Sequence, residues 1–181
     1  MSKETKVFIA GSRRLSRLNK DVLRRLDNVL EKHFKILIGD ANGVDKAVQI
    51  YLASQRYDRV RVFCMEGICR NNIGHWRTET VPAPTGSRHD FAFFAAKDRA
   101  MAREADYGLM LWDGESRGTL TTILDLARQE KPVVVFFAPS RTLHNVRSKA
   151  DLAPLLRHIA PETLQRAEGD IGTLAPAGSI S

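Results

Sequence analysis

At 181 residues the chain fits one domain with room for a full core. Its composition, 43% apolar and 27% charged, is that of an ordinary globular protein, and no apolar run approaches the length of a membrane-spanning helix. Twenty-eight basic against 21 acidic residues leave a net charge of +7, which attracts nucleotides, nucleic acid or other phosphorylated partners.

The first predicted element is "KVFIAG" (Lys6–Gly11), a short β-branched and aromatic run closed by glycine. Residues 19–34 follow as a helix, with Val22, Leu23, Leu26, Val29, Leu30 and Phe34 at helical spacing. "KILIG" at 35–39 is a second strand. Val44, Ala47, Val48, Tyr51 and Leu52 then mark a second helix, and "RVRVF" at 59–63 a third strand. Residues 64–87 form a long irregular segment, and loops of this length inside a domain are functional or disordered. A third helix over 89–105, a fourth strand over 107–112, a fourth helix over 118–130 and a fifth strand over 132–137 complete the alternation. What remains holds a short helix near 150–158 and fades into "EGDIGTLAPAGSIS", a loose tail. The predicted organisation is a nucleotide-binding domain over 1–140 and a C-terminal extension over 141–181.

Strands that alternate with helices and read as near-continuous apolar runs belong to a parallel sheet covered on both faces. The expectation is an α/β, Rossmann-like, doubly wound parallel sheet of about five strands in order 3-2-1-4-5, with helices on both faces. In such a sheet the connections diverge between strands 1 and 4, and ligands bind in the crevice beyond the strands' carboxyl ends. Two loops flank that crevice: "GSRRLSRL" after strand 1 and "DGESRGT" after strand 4.

In the first loop Gly11 and Ser12 allow close backbone approach, and Arg13, Arg14 and Arg17 carry positive charge; guanidinium pairs with phosphate in a bidentate way. Arg13, nearest the glycine, is the favoured phosphate contact. In the second loop Asp113, Gly114 and Ser116 lead to Gly118 and Thr119, which begin a helix whose free N–H groups favour an anion. The plain structural alternative is that Ser116 or Thr119 merely caps that helix. In "GDANGVD" (39–45) Asn42 and Asp45 read as a helix cap, while Asp40, at the edge of the second strand, is a candidate for a ribose hydroxyl or a substrate amine. Asp98 lies on the apolar stripe Phe91, Phe94, Ala95, Met101, Ala102, Ala105 of the third helix, so it is either bonded to a neighbouring loop or faces the site. Phe93, Ala96 and Ala100 form a second apolar patch on the other side of that helix, which predicts a homodimer through it.

Cys64 and Cys69 read as free thiols of a reducing compartment. With His75 they lack a fourth ligand at any recognisable spacing, so no metal is expected, and no motif calls for a cofactor. The N-terminus has no signal-peptide layout, and the predicted location is cytoplasmic.

"VFIAGSRRL", "IGDANGVDKAV", "KDRAMAREADYGLMLWDGESRGT" and "EKPVVVF" together resemble the SLOG superfamily of Rossmann-like nucleotide-binding proteins, and within it a small stand-alone branch. That superfamily includes the Lonely Guy phosphoribohydrolases, a DNA-processing protein that binds single-stranded DNA, and sensor domains for nucleotide-derived signals. The resemblance covers about residues 6–137 and implies the fold and the phosphate site. It departs at the catalytic signature: the phosphoribohydrolases carry "GTxxE" with a catalytic glutamate, where this chain has "GTLTT" and Thr122. The arginine that partners that glutamate falls at or near Lys97. Threonine cannot replace a carboxylate at an N-glycosidic bond. Substitute carboxylates are Glu66, Asp98, Asp113 and Glu115, with Glu66 of the long loop first.

Three functions follow. The first is a sensor or binding module for a nucleotide or nucleotide-derived ligand, favoured by the paired phosphate loops and the missing glutamate. The second is an N-glycosidase or phosphoribohydrolase with a non-standard carboxylate. The third is a single-stranded nucleic-acid binder, suggested by the +7 charge but opposed by scattered basic residues without an aromatic-and-basic stacking pattern.

Overall fold

The computed structural model describes residues 3–172. Chain order is β1 (Lys6–Gly11), α1 (Lys20–Glu31), β2 (Lys35–Ile38), α2 (Val44–Ser54), β3 (Val60–Met65), β4 (Arg77–Val81), α3 (Phe91–Glu104), β5 (Tyr107–Trp112), α4 (Arg117–Arg128), β6 (Val133–Phe137) and β7 (Thr142–Val146). A 3₁₀ turn (Lys149–Leu152) then runs into α5 (Ala153–Leu156) and α6 (Pro161–Gly172).

Alternation within the strands divides the core in two. Val7, Ile9, Ile36 and Ile38 point to the face covered by α1 and α2, where they meet Val22, Leu26, Val48 and Leu52. Phe8, Leu37 and Met110 point to the other face, against Met101 of α3 and Leu120 and Ile123 of α4. Helices on both faces of a parallel sheet make this a Rossmann-like α/β fold.

The sheet has seven strands in order β4-β3-β2-β1-β5-β6-β7. The predicted five-stranded order survives inside it as β3-β2-β1-β5-β6, all parallel. Two edge strands extend it beyond the expected five. β4 lies within the long segment predicted to be irregular and pairs parallel to β3; β7 lies in the C-terminal extension and pairs antiparallel to β6. Both are short and polar, as suits an edge. The extension also holds more helix than expected: α6 runs to Gly172 and buries Ala167, so residues 168–172 of the predicted loose tail are helical. The rest of that tail lies outside the described residues.

Two further readings are corrected. Phe93, Ala96 and Ala100 belong to the side of α3 that packs on the core, with Phe93 only 4% exposed, so the surplus apolar face that motivated a dimer is absent. Cys64 and Cys69 form a disulfide rather than free thiols. The turn closed by the Met65–Ile68 bridge brings their Cα atoms to 5.0 Å, within the range a disulfide spans. No helix among the described residues is long and apolar enough to cross a membrane.

Candidate functional site

The chain's connections part between β1 and β5, and there the loops after these strands and after β2 meet α3 and α4 around a cavity of about 640 Å³. That volume is typical of a small-molecule site.

Close backbone contacts build its rim. A Cβ on Gly11 would sit 2.3 Å from the Leu111 carbonyl oxygen, so only glycine lets the first loop leave β1 so near β5. Gly43 has φ +84°, and a Cβ there would lie 2.3 Å from the Arg13 carbonyl oxygen; the turn before α2 thus seats the backbone of Arg13. Ser12 is buried. Its N–H donates to the Leu111 carbonyl (2.9 Å), its hydroxyl accepts from the Asp113 N–H (3.1 Å) and lies 3.4 Å from the Thr119 hydroxyl. Ser12 therefore joins the two loops and does not itself line the cavity.

The turn after β5 folds on its own carboxylate. One Asp113 oxygen accepts from the N–H groups of Glu115 (2.9 Å) and Ser116 (2.7 Å), an Asx turn, and Gly114 takes φ +81°. Ser116 caps α4, accepting from the Thr119 N–H at 3.4 Å. Beyond the cap the helix start is open: a Cβ on Gly118 would meet only the Phe91 ring, at 4.0 Å. The cap engages the Thr119 N–H and leaves other N–H groups of the first turn unpaired by it. Thr122 lines the cavity with its hydroxyl donated back to the Gly118 carbonyl (3.0 Å).

On the opposite wall is a polar network that the sequence did not suggest. Asp40, 1% exposed, accepts three hydrogen bonds from Arg70 (N–H 3.0 Å, Nε 3.3 Å, Nη2 2.8 Å) and one from Lys97 Nζ (2.7 Å). Burial alone would raise its pKa, but the Arg70 hydrogen bonds and the Lys97 charge outweigh that and hold it at about 2. Asp40 is thus occupied and stands behind the cavity wall rather than in it. Lys97 is buried at 3% exposure and reaches the cavity. Asn42 and Asp45 do not cap α2 as predicted. Gly43 is the cap residue; Asn42 accepts from the Asn71 side chain (3.1 Å), and Asp45 from the Ala41 N–H (3.1 Å). Burial pushes Asp45 up to about 6, against the opposing charge of Lys97.

Asp98 faces the cavity, one of the two alternatives the sequence left open, and burial raises its pKa against the charges of Lys97, Arg13 and Arg70. Among the substitute carboxylates, Asp113 and Glu115 also line the cavity, the former tied into its turn and the latter paired with Arg14 at 2.5 Å. Glu66 does not. It sits exposed at φ +51° in the turn after β3, away from the crevice.

Basic side chains scattered in sequence converge on two rings that line the cavity, Phe91 and Phe94. Arg13 and Arg70 each lie over the Phe94 ring, at 5.0 and 5.1 Å, and Arg117 over Phe91 at 4.1 Å. Arg117 is held from behind by Asp170 of α6 (2.8 and 2.5 Å). Spacing could not reveal these pairs, since their members lie on separate elements.

No protein-family model matches the chain, and no curated protein matches it. Among solved structures, one of DNA processing protein A from Helicobacter pylori, described for its unique single-stranded DNA binding mode, is similar with a TM-score of 0.57 at 14% identity. The match covers 94% of this chain and 82% of that one. At this identity the likeness is one of fold.

Proposed function

We propose that the crevice binds a nucleotide or nucleotide-derived ligand, its phosphate between Arg13 and the start of α4 at Gly118–Thr119. One observation carries this reading. The cavity at the divergence of β1 and β5, of nucleotide size, is lined by both Arg13 and an unobstructed helix start. The sequence motifs and the shared fold support placing the chain in the SLOG superfamily, as a binding module rather than a phosphoribohydrolase, because Thr122 stands in the place of the catalytic glutamate. A thermal-shift panel of nucleoside mono-, di- and triphosphates tests it. A ligand at about a hundred times its Kd stabilises the native state by about 2.7 kcal/mol, which is easily seen as a raised Tm. A panel in which no nucleotide moves the Tm refutes the reading.

A second reading, binding of single-stranded nucleic acid, is favoured by the guanidinium–ring pairs at Phe94 and Phe91, since stacked rings and arginines together grip bases and backbone. It also accords with what the similar solved structure is described as binding. Fluorescence anisotropy with a labelled oligonucleotide distinguishes the two: affinity that falls steeply with salt supports this reading, and no binding at low salt removes it.

A further inference from the structure

Six carboxylates line the crevice, and five of them are held by the protein. Asp45 accepts from the Ala41 N–H, Asp90 caps α3, Asp113 closes its turn, Glu115 pairs with Arg14 and Asp125 with Arg128. Asp98 alone has no hydrogen bond or ion pair to any described residue. Asp98 is half-buried and borders the crevice, so a ligand there can supply the donor that the protein does not.

The surroundings define that donor. Lys97, Arg13 and Arg70 all act on Asp98 through their charge without touching it, so a further cation is disfavoured there while a neutral O–H is not. Phe94 lies four residues before Asp98, on the same face of α3, and both line the crevice. That spacing sets an aromatic ring and a carboxylate about 6 Å apart along the helix, comparable to the offset between a nucleobase and the hydroxyls of its sugar.

We propose that Asp98 is a specificity-determining residue that accepts a hydrogen bond from the ribose 2′-hydroxyl of the ligand, so that the crevice selects ribonucleotides over deoxyribonucleotides. The proposal rests on the nucleotide-binding reading and adds the sugar class to it. The 2′-hydroxyl is the group by which proteins tell the two sugars apart. Asp40, at the end of β2, cannot serve, because Arg70 and Lys97 already saturate it.

The test is calorimetric titration of the full chain with AMP, GMP, CMP and UMP and with their 2′-deoxy counterparts, for wild type and Asp98→Asn. Wild type should bind the best ribonucleotide roughly 10- to 100-fold more tightly than its deoxy form, the worth of a hydrogen bond to a charged group. Asp98→Asn should lose that preference by weakening the ribonucleotide while leaving the deoxynucleotide nearly unchanged. Its melting temperature should not fall, since no contact within the protein is removed. Equal wild-type affinity for the two sugars overturns the proposal and leaves nucleotide binding standing. An Asp98→Asn variant that weakens both sugars alike also overturns it. Wild type that binds none of the eight compounds overturns the proposal for nucleoside monophosphates, and the wider thermal-shift panel then decides nucleotide binding itself.

Discussion

Asp40 and Asp98 stand among the same cations, Lys97 and Arg70, and are shifted in opposite directions. Asp40 is the more buried, yet its pKa falls to about 2; Asp98 borders the cavity, and its pKa rises. Donors make the difference. Four hydrogen bonds end on Asp40, and none from the protein ends on Asp98. The crevice therefore has a finished wall, where charge is neutralised by contact, and an unfinished one, where charge is neutralised only at a distance. Finished groups hold the fold, and unfinished ones are available to a ligand.

The largest effect should come from breaking the finished wall. Asp40→Ala leaves the Lys97 ammonium buried without its partner, and removing one member of a buried pair typically costs about 3–5 kcal/mol. Urea denaturation should show a loss of that size, and an Asp40→Ala, Lys97→Met double variant should recover much of it. A single variant as stable as wild type would mean that the network contributes nothing to the fold.

Acid separates a carboxylate raised by burial from one lowered by its donors. Asp45, raised from 3.8 to about 6, binds its proton more readily in the native than in the unfolded chain, so its contribution to stability falls as pH rises through 3.8 to 6. Asp40, lowered from 3.8 to about 2, behaves oppositely: its contribution is intact above 3.8 and lost as pH falls toward 2. The expected outcome is that Asp45→Asn gains on wild type as pH rises from 4 to 7, by on the order of 3 kcal/mol at most. Denaturation of both proteins across that range checks it, and a constant difference between them would refute it.

Arg13 probes the ligand side alone. Its side chain is exposed and rests on Phe94, so Arg13→Ala should leave the Tm almost unchanged while costing about 1.5–3 kcal/mol of nucleotide binding. Calorimetry on wild type and variant decides it, and unchanged affinity removes Arg13 from the site.

How far the sequence could anticipate this depended on the kind of signal. Apolar strands buried on both faces, such as "FIAG" and "LMLW", announce themselves, and the order of the inner five strands followed from their alternation with helices. β4 ("RTETV") and β7 ("TLHNV") are edge strands with mostly solvated side chains, and neither carries an apolar run to mark it. On α3, Phe91, Phe93 and Phe94 make both faces apolar, so periodicity could not choose between them. Lys97 settles it, buried on the core side because Asp40, 57 residues earlier in the chain, receives its proton-bearing end. The two loops that flank the crevice were legible because glycine and hydroxyl residues cluster within each. Arg70, which completes the opposite wall, sits in an irregular segment, and its link to Asp40 is visible only once the chain is folded.

The smallest effect is expected at the cap of α4, where the bonds to the Ser116 hydroxyl are short in sequence and neutral. Ser116 accepts from the Thr119 N–H (3.4 Å) and from the Thr119 hydroxyl (3.1 Å), and that hydroxyl in turn lies near Ser12. Ser116→Ala removes a cap worth about 1 kcal/mol. It leaves in place the Asx turn of Asp113 and the Trp112 indole N–H bonded to the Ser116 carbonyl (3.1 Å). The loops should therefore keep their course, and denaturation should report a modest loss with a normal slope. Nucleotide affinity gives the sharper measurement. If the start of α4 holds the phosphate through its backbone N–H groups, freeing the Thr119 N–H from its cap should leave affinity within a few-fold of wild type. A loss of binding as large as that of Arg13→Ala would instead place the Ser116 hydroxyl itself on the ligand, and the unfinished wall of the crevice would extend into the turn.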